Sequence, residues 1–330
     1  MANPFKLIGV GSPVVDTLAS VNDAFLASHV PGAKGGMELV DAAALTTIIG
    51  EMDGPLVQAP GGSAGNTAVG VAQLGLPTTF LGKLGNDANG TFYRDSFKAI
   101  GGDISRFKVG SVSNGHCLSM VTPDSQRTMR TDLGAAMTLS PDEISSEDFA
   151  GVDHAHIEGY LLFNRDLLYR VLECAKQAGC TISLDLASFE VVGAAKDILP
   201  DVLRDSVDIV FANEDEAGAF TDMGNDYVGM AAQLSELCGI AAVKLGKSGS
   251  LVQSSSQLHR IEPVVVDNAI DTTGAGDLWA AGFLYGWLSG KDLPTCGLYG
   301  SILGAEVVQV MGGAISEERW EVIRKQLGGN

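Results

Sequence analysis

Short apolar runs separated by longer amphipathic stretches organise the C-terminal half of this chain. From about Gly151 the apolar, β-branched runs 155–157, 181–184, 207–211 and 241–245 alternate with stretches of helical period at 165–177 and 227–237. That order predicts an α/β fold with a parallel sheet, because parallel neighbours need long crossovers and the crossover helices cover the sheet's faces.

The first half departs from the pattern. Residues 6–10 read as a buried strand and 64–74 as a helix, whereas 107–121 and 127–131 read as short strands joined at the Pro123-Asp124 turn. Residues 14–21 and 55–58 are expected to join them. Together they predict a small β layer, a lid built from insertions at about 13–22, 53–60 and 105–132. No internal repeat, low-complexity tract or charge block divides the chain, so 1–330 is expected to be one unit.

Composition narrows the function. With 330 residues and 45% hydrophobic content the chain can bury a large core, which excludes a peptide hormone or a disulfide knot. The 21 basic and 40 acidic side chains leave a net charge of −19, which repels nucleic acid and anionic membrane. Neither is expected as a partner. Any anion pocket in such a chain therefore has to be built from local dipoles or a cation. Five cysteines with neither C-x-x-C nor metal spacing fit a reduced cytoplasm. The absence of a secretory pattern near Met1 adds to that expectation. The longest apolar stretch, 280–288, is far shorter than the roughly 20 residues that span a bilayer, so a soluble protein is expected.

The strongest chemical signal is D-T-T-G-A-G-D, Asp271 to Asp277, followed by an apolar helical stretch. A glycine turn at a helix start presents the N–H groups of Gly274, Ala275 and Gly276 and the positive end of the helix dipole to an anion. Asp277 at the cradle's edge can take a proton from a hydroxyl that attacks a cradled phosphoryl group. The bland alternative is an aspartate that only complements the helix terminus. Two aspartates bracketing the glycine turn favour chemistry.

A second glycine segment, Gly61-Gly62-Ser63-Ala64-Gly65-Asn66, opens another helix, and Asn66 either binds a substrate hydroxyl or satisfies its own loop. Asp16 follows a strand end on an extended segment, where it can accept hydrogen bonds from a vicinal diol or sit in a solvated turn. Gly9-x-Gly11 lacks the third glycine of a dinucleotide turn, and Pro13 opposes a helix there. Gly246-Lys247-Ser248 resembles the end of a phosphate loop, but the glycine required five residues earlier is Ala241. What remains at 243–249 is a strand ending in a glycine turn, suited to a nucleotide-facing loop. Glu216, after Asn213, can hold waters around Mg²⁺ or act as a dipole partner of its helix. His154 and His156 share one face of a strand without a third ligand, so they read as structural.

Taken together these segments resemble the ribokinase/PfkB family of small-molecule kinases from about Lys6 to Ser316. Gly61 to Gly90 is similar to the family's N-terminal signature, Asp271 to Asp277 to its C-terminal signature, and Asn213 with Glu216 to its N-x-x-E motif. The segments at Gly11, Arg127 and His156 look closest to the adenosine-kinase-like branch. The resemblance implies a ribokinase-like three-layer αβα sandwich with a β-sheet lid, and transfer of the ATP γ-phosphoryl group to a primary hydroxyl of a nucleoside or sugar. It implies Asp277 as base and Gly274, Ala275 and Gly276 as anion hole. Asp16, Gly61, Gly62 and Asn66 would hold the acceptor, assisted by Glu158, with Arg127 approaching the phosphates as the lid closes. Asn213, Lys244, Gly246, Gly249 and Thr272 would border the nucleotide, and Glu216 would hold Mg²⁺ through water. A monovalent cation such as K⁺, used by many relatives, would lie near Asp271, Thr273, Val310, Gly312 and Ser316, although 310–316 departs from the usual proline-containing loop. The alternatives are a sugar kinase of ribokinase or fructokinase type, or a catalytically silent binding protein on the same fold. A monomer and a homodimer are both compatible with the sequence.

Overall fold

Each strand of the central sheet divides its apolar side chains between two helix layers. Ile8 and Val10 point to one core and Leu7 to the other, and Val210 and Ala212 oppose Ile209 and Phe211 in the same way. Burial on both faces is why these strands read as continuous apolar runs. The computed structural model describes residues 3–328 apart from 125, 256 and 314.

From edge to edge the eight strands are Gln257–Ile261, Ser250–Ser254, Ile240–Lys244, Ile209–Asn213, Thr181–Asp185, Val152–Glu158, Phe5–Val10 and Thr78–Leu81. The strands from Ile240–Lys244 to Thr78–Leu81 are parallel, and a hairpin of the other two continues the sheet antiparallel. One layer contains the helices Arg165–Gln177 and Tyr227–Cys238, and the other Ser63–Gln73, Ala275–Leu288 and Leu293–Val307. Arg165–Gln177 shows how the sequence specifies such a helix. The Asn164 side chain caps the Leu167 N–H, and Leu167, Leu168, Val171, Leu172 and Ala175 recur at helical spacing toward the sheet.

The five-stranded second sheet runs Met37–Leu39, Arg127–Asp132, His116–Val121, Val15–Ser20, Val57–Pro60. Helices Asp23–His29 and Ala42–Gly50 back it through Leu26, Leu45, Ile48, Leu118 and Met120. Two features differ from the sequence pattern. Met37–Leu39 was not foreseen, because three exposed residues at a sheet edge carry no burial pattern. The stretch 107–121 divides in two, since Lys108–Gly110 pairs with Lys83–Gly85 while only His116–Val121 enters the second sheet.

The topology fixes where chemistry can occur. The chain places Thr78–Leu81 on one side of Phe5–Val10 and Val152–Glu158 on the other, so the strand order reverses there. A crevice opens beyond the carboxyl ends of strands at such a point. Glu158, Asp185, Asn213 and Lys244 all end their strands on this edge, and the second sheet begins five residues after Val10. All five cysteines are buried free thiols. No described helix is long and apolar enough to cross a membrane.

Candidate active site

Asp277 lies in the first turn of Ala275–Leu288, whose N-cap is Gly274 in the left-handed conformation at φ 71°. Helix Ser63–Gln73 packs against that turn and holds the carboxylate from two sides. The Ser63 hydroxyl donates to Oδ1 and the Asn66 amide to Oδ2, each at 2.9 Å, while the Thr67 hydroxyl donates to the Asp277 carbonyl at 3.1 Å. Burial and the nearby Asp185 charge push the Asp277 carboxyl up to about 6, against the pull of Asn66, Lys244 and Ser63. A fixed, buried carboxylate with raised basicity is suited to accept a proton.

The anion cradle differs in one detail from the sequence expectation. The Ala275 N–H donates to the Thr272 carbonyl at 3.2 Å, because the left-handed Gly274 turns the chain back on itself. Among the described residues, the N–H groups of Gly274 and Gly276 have no protein acceptor. A Cβ at Gly276 would stand 3.1 Å from the Lys244 Nζ, so the ammonium group lies directly beside the cradle. Lys244 donates to Asp185 Oδ2 at 2.9 Å. Burial works against its charge, but the Asp185 and Glu216 carboxylates outweigh burial and raise its pKa. Burial likewise pushes Asp185 upward, and Lys244 outweighs it and holds the carboxyl low.

Asp16 and Glu158 form the second half of the crevice. Glu158 Oε1 accepts from the Ser12 N–H at 2.9 Å and Oε2 from the Ala64 N–H at 3.4 Å. Burial raises its carboxyl to about 7 despite those bonds. Burial also raises Asp16 to about 7, with Arg127 pulling it down and Asp277 adding to the rise. Gly61 and Gly62 allow the chain to pass here. A Cβ on Gly61 would fall 2.4 Å from Asp16 Oδ2, and Gly62 has φ 87° with its Cβ position 2.2 Å from the Ser12 carbonyl oxygen.

Asn213 and Glu216 are joined to one another. The Asn213 backbone and side-chain amides donate to the two Glu216 oxygens at 2.8 and 2.7 Å, and Asn213 Oδ1 accepts from the Glu216 N–H at 2.8 Å. This capping box starts helix Glu214–Thr221. Burial and then the Asp185 charge raise the Glu216 carboxyl to about 7. Gly246 and Gly249 have positive φ and close the turn after Lys244.

At the outer end, Asp271 gathers its neighbours. Its Oδ1 accepts from the Thr273 N–H at 2.9 Å and hydroxyl at 2.6 Å, and its Oδ2 from the Gly312 N–H at 2.9 Å. Burial pushes this carboxyl up, but those bonds and the Arg127 charge hold it below the usual range. Arg127, from the second sheet, stands 3.8 Å from Asp271 Oδ1, and its buried Nη1 lacks a hydrogen-bond partner. The Val310 N–H bonds to Val307, and the Ser316 side chain caps helix Glu317–Gln326. Residue 314 of that loop lies outside the described residues.

The structure thus gathers Asp16, Asn66, Glu158, Lys244 and Asp277 in one crevice. The Asp271, Thr273, Gly312 group lies at the outer end, and both Arg127 and the Asp271 charge act from there on Asp16. Sequence reasoning missed three residues. Ser63 was passed over inside a segment valued for its glycines and Asn66. Asp185 sits one residue beyond the 181–184 run. Tyr160 follows Glu158 on the turn Gly159–Phe163, and burial together with the Glu158 and Asp277 charges pushes its hydroxyl up to about 12. A tyrosine two residues after a buried acid at a strand end was the available signal.

Comparison with known proteins identifies the family. The profile described as pfkB family carbohydrate kinase matches residues 53–320. A ribokinase from Arabidopsis thaliana is 30% identical over 266 residues, covering 76% of this chain and 68% of that one. The adenosine kinase of Sinorhizobium meliloti superposes with a TM-score of 0.87 at 31% identity, covering 98% of this chain and 99% of that one. A probable sugar kinase from Rhizobium etli CFN 42 superposes at 0.88 with 31% identity, covering 99% of each chain.

Proposed function

Because this chain belongs to the pfkB family of carbohydrate kinases, and is accordingly an ATP-dependent carbohydrate or nucleoside kinase, we propose that Asp277 is its general base and that a nucleoside is its acceptor. The observation that carries the first part is the pair of 2.9 Å bonds from Ser63 and Asn66. They aim a basic carboxylate at the space in front of an open helix terminus.

In this reading Asp16 accepts hydrogen bonds from the acceptor's diol, with Asn66, Glu158 and the Gly61-Gly62 backbone closing around it. The acceptor's primary hydroxyl loses its proton to Asp277 as its oxygen bonds to the γ-phosphorus, and the bond from that phosphorus to the bridging oxygen breaks to leave ADP. Negative charge growing on the equatorial oxygens meets the Gly274 and Gly276 N–H groups, the helix dipole and Lys244. Arg127 brings a second cation when the second sheet closes, and that closure excludes water that would otherwise take the phosphoryl group. Asn213, Gly246, Gly249 and Thr272 border the nucleotide.

Among the described residues no group of three or more acids, histidines or cysteines could hold a metal ion directly, so a divalent ion here would be held chiefly by water and the nucleotide. Asp185, Glu216 and Asp277 act on one another's titration with Lys244 as the balancing cation, and Glu216 is left with a raised carboxyl. Glu216, through water, would hold Mg²⁺, which when bound neutralises phosphate charge. Asp271, Thr273, Val310, Gly312 and Ser316 would hold a monovalent cation, which would share the Asp271 carboxylate with Arg127.

The nucleoside reading draws on exposed aromatic side chains on the turn that follows Glu158 and on the helix Phe189–Ala195 packed against it. Tyr160, Phe163 and Phe189 are 39%, 62% and 55% exposed, a surface suited to the face of a base. The Sinorhizobium meliloti adenosine kinase points the same way. The second reading, a plain sugar acceptor, draws on the similarity to ribokinase and to the Rhizobium etli probable sugar kinase. Incubation with Mg-ATP and a panel of nucleosides and sugars, followed by ADP release and phosphorylated product, decides between them. We expect adenosine-like acceptors to give the highest kcat/KM. A preference for free ribose or fructose would replace the nucleoside reading, and ATP binding without turnover of any acceptor would leave a silent binding protein.

A further inference from the structure

Two histidines lie under the floor of the crevice and take no part in the mechanism above. His154 and His156 are wholly buried on strand Val152–Glu158, in register with Thr181 and Ser183 of the neighbouring strand. His154 Nδ1 is 2.7 Å from the Thr181 hydroxyl and its Nε2 is 2.8 Å from the Ser183 hydroxyl, which in turn is 2.8 Å from His156 Nδ1. The chain admits two polarities, and the one taken here starts from the Thr181 hydroxyl as donor at its outer end. The Thr181 hydroxyl donates to the Asp153 carbonyl at 3.3 Å, and a carbonyl oxygen only accepts. Thr181 therefore accepts from His154 Nδ1–H. His154 Nε2 is then a lone pair that accepts from the Ser183 hydroxyl, and Ser183 accepts from His156 Nδ1–H. The chain ends on the Nε2 lone pair of His156, a buried polar atom with no partner among the described protein atoms.

An unpaired acceptor at such depth is costly and calls for a donor. The His156 ring lies 5.9 Å from the Phe211 ring, and Phe211 is the register partner of Asp185. Ser183, which holds His156 Nδ1, stands two residues before Asp185 on the same face of its strand, so the imidazole is a neighbour of the Asp185–Lys244 pair. Lys244 is the one donor-rich group there, and Asp185 takes only one of its three N–H donors. The remaining titratable neighbours are Glu158 on the same strand, engaged by the Ser12 and Ala64 N–H groups, His154 within the chain, and Asp185 on the next strand, the lysine's partner.

We propose that Thr181, His154, Ser183 and His156 form a one-way hydrogen-bond chain whose open end accepts, through one bound water, from the Lys244 ammonium, making His156 a positioning residue for that lysine beside the anion cradle. Burial lowers His154 to about 3 and His156 to about 4, the latter under opposed pulls from Asp185 and Lys244, so both rings are neutral at working pH. A neutral ring keeps its lone pair without adding a charge beside the phosphates. The kinetic consequence rests on the phosphoryl-transfer reading, whereas the tautomer does not.

Nitrogen NMR of the full chain labelled at histidine, assigned with His154→Gln and His156→Gln, tests the tautomer. Both rings should show the neutral Nδ1–H form without titration between about pH 6 and 9. A proton on Nε2 of His156 would reverse the chain and overturn the proposal. Kinetics tests the positioning. His156→Phe keeps a ring against Phe211 but removes the acceptor, and should raise the KM for ATP about tenfold while the acceptor KM stays within about twofold. His156→Gln, whose amide oxygen can stand near the Nε2 position, should recover most of that loss. Equal losses in both variants, or equal effects on the two substrates, would show a packing role only. If the wild type transfers phosphate to no acceptor, the proposed function fails while the NMR result still decides the chain.

Discussion

At the scale of single residues, two bonds to Asp277 support the proposed base over a helix-terminus aspartate. A carboxylate that only complements a dipole has no need of the Ser63 and Asn66 donors, nor of the burial that raises its pKa to about 6. Asp277→Asn preserves the shape and removes the proton acceptor, so kcat should fall about 10² to 10⁴-fold with ATP affinity retained. Near wild-type turnover by this variant would remove Asp277 from the mechanism. In the proposed role Asp277 must be ionised to act, and its folded-state pKa is raised. The rate should therefore decline as pH falls through about 6 and level off above it. A pH-independent kcat/KM between about 5 and 8 would contradict this. Asp16→Ala should chiefly raise the acceptor KM, measured with ATP saturating.

At the scale of elements, two helix starts face one another and are joined by side chains rather than by a shared strand. Ser63–Gln73 begins at Gly62 with φ 87°, and Ala275–Leu288 begins at Gly274 with φ 71°. Gly62→Ala would force a Cβ to within 2.2 Å of the Ser12 carbonyl oxygen while keeping a positive φ. We expect a loss of about 1 kcal/mol or more of stability, read in denaturant, together with a weaker acceptor site because Ser63 and Asn66 move with the helix. Unchanged stability would mean the loop relaxes freely. The glycine turns and the apolar helical stretch after Asp277 were legible in the sequence, because they follow from local rules of φ and hydrogen bonding. Met37–Leu39 and the partner of Lys108–Gly110 were not, since exposed three-residue strands owe their existence to distant neighbours.

At the scale of the whole molecule, the crevice concentrates acids inside a chain that already carries −19. Asp16, Glu158 and Glu216 each rise to about 7 and Asp277 to about 6, from ordinary values of 3.8 or 4.5. The folded chain therefore holds protons near neutrality that the unfolded chain has released. Stability from these groups is complete below their unfolded values and is lost as pH rises through the folded ones. The buried histidines act with the opposite sign, but only below their ordinary value of 6.5. The apo protein should thus melt at a higher temperature near pH 6.5 than near pH 8, by calorimetry. The reverse order would show that these carboxyls ionise freely. The same charges govern selectivity. Asp16, Glu158 and Asp277 put three acids at the acceptor end, and the Arg127 charge there is already balanced by Asp16 and Asp271, so sugar acids and sugar phosphates should react at least about 100-fold less efficiently than neutral acceptors of equal size. Comparable kcat/KM for a charged acceptor would contradict the arrangement.

The sequence by itself determined the elements whose causes are local. These are the apolar strands covered on both faces, the glycine turns that require positive φ, and the D-T-T-G-A-G-D segment with its aspartates. Tertiary structure alone decided what each polar group faces. Asp277 meets Ser63 and Asn66 across more than two hundred residues of chain, Lys244 meets Asp185 across three strands of the sheet, and Ala275 turns its N–H away from the cradle to Thr272. The division has a physical reason: backbone conformation responds to neighbours a few residues away, whereas the protonation and direction of a buried side chain respond to whatever the fold brings within a few ångströms.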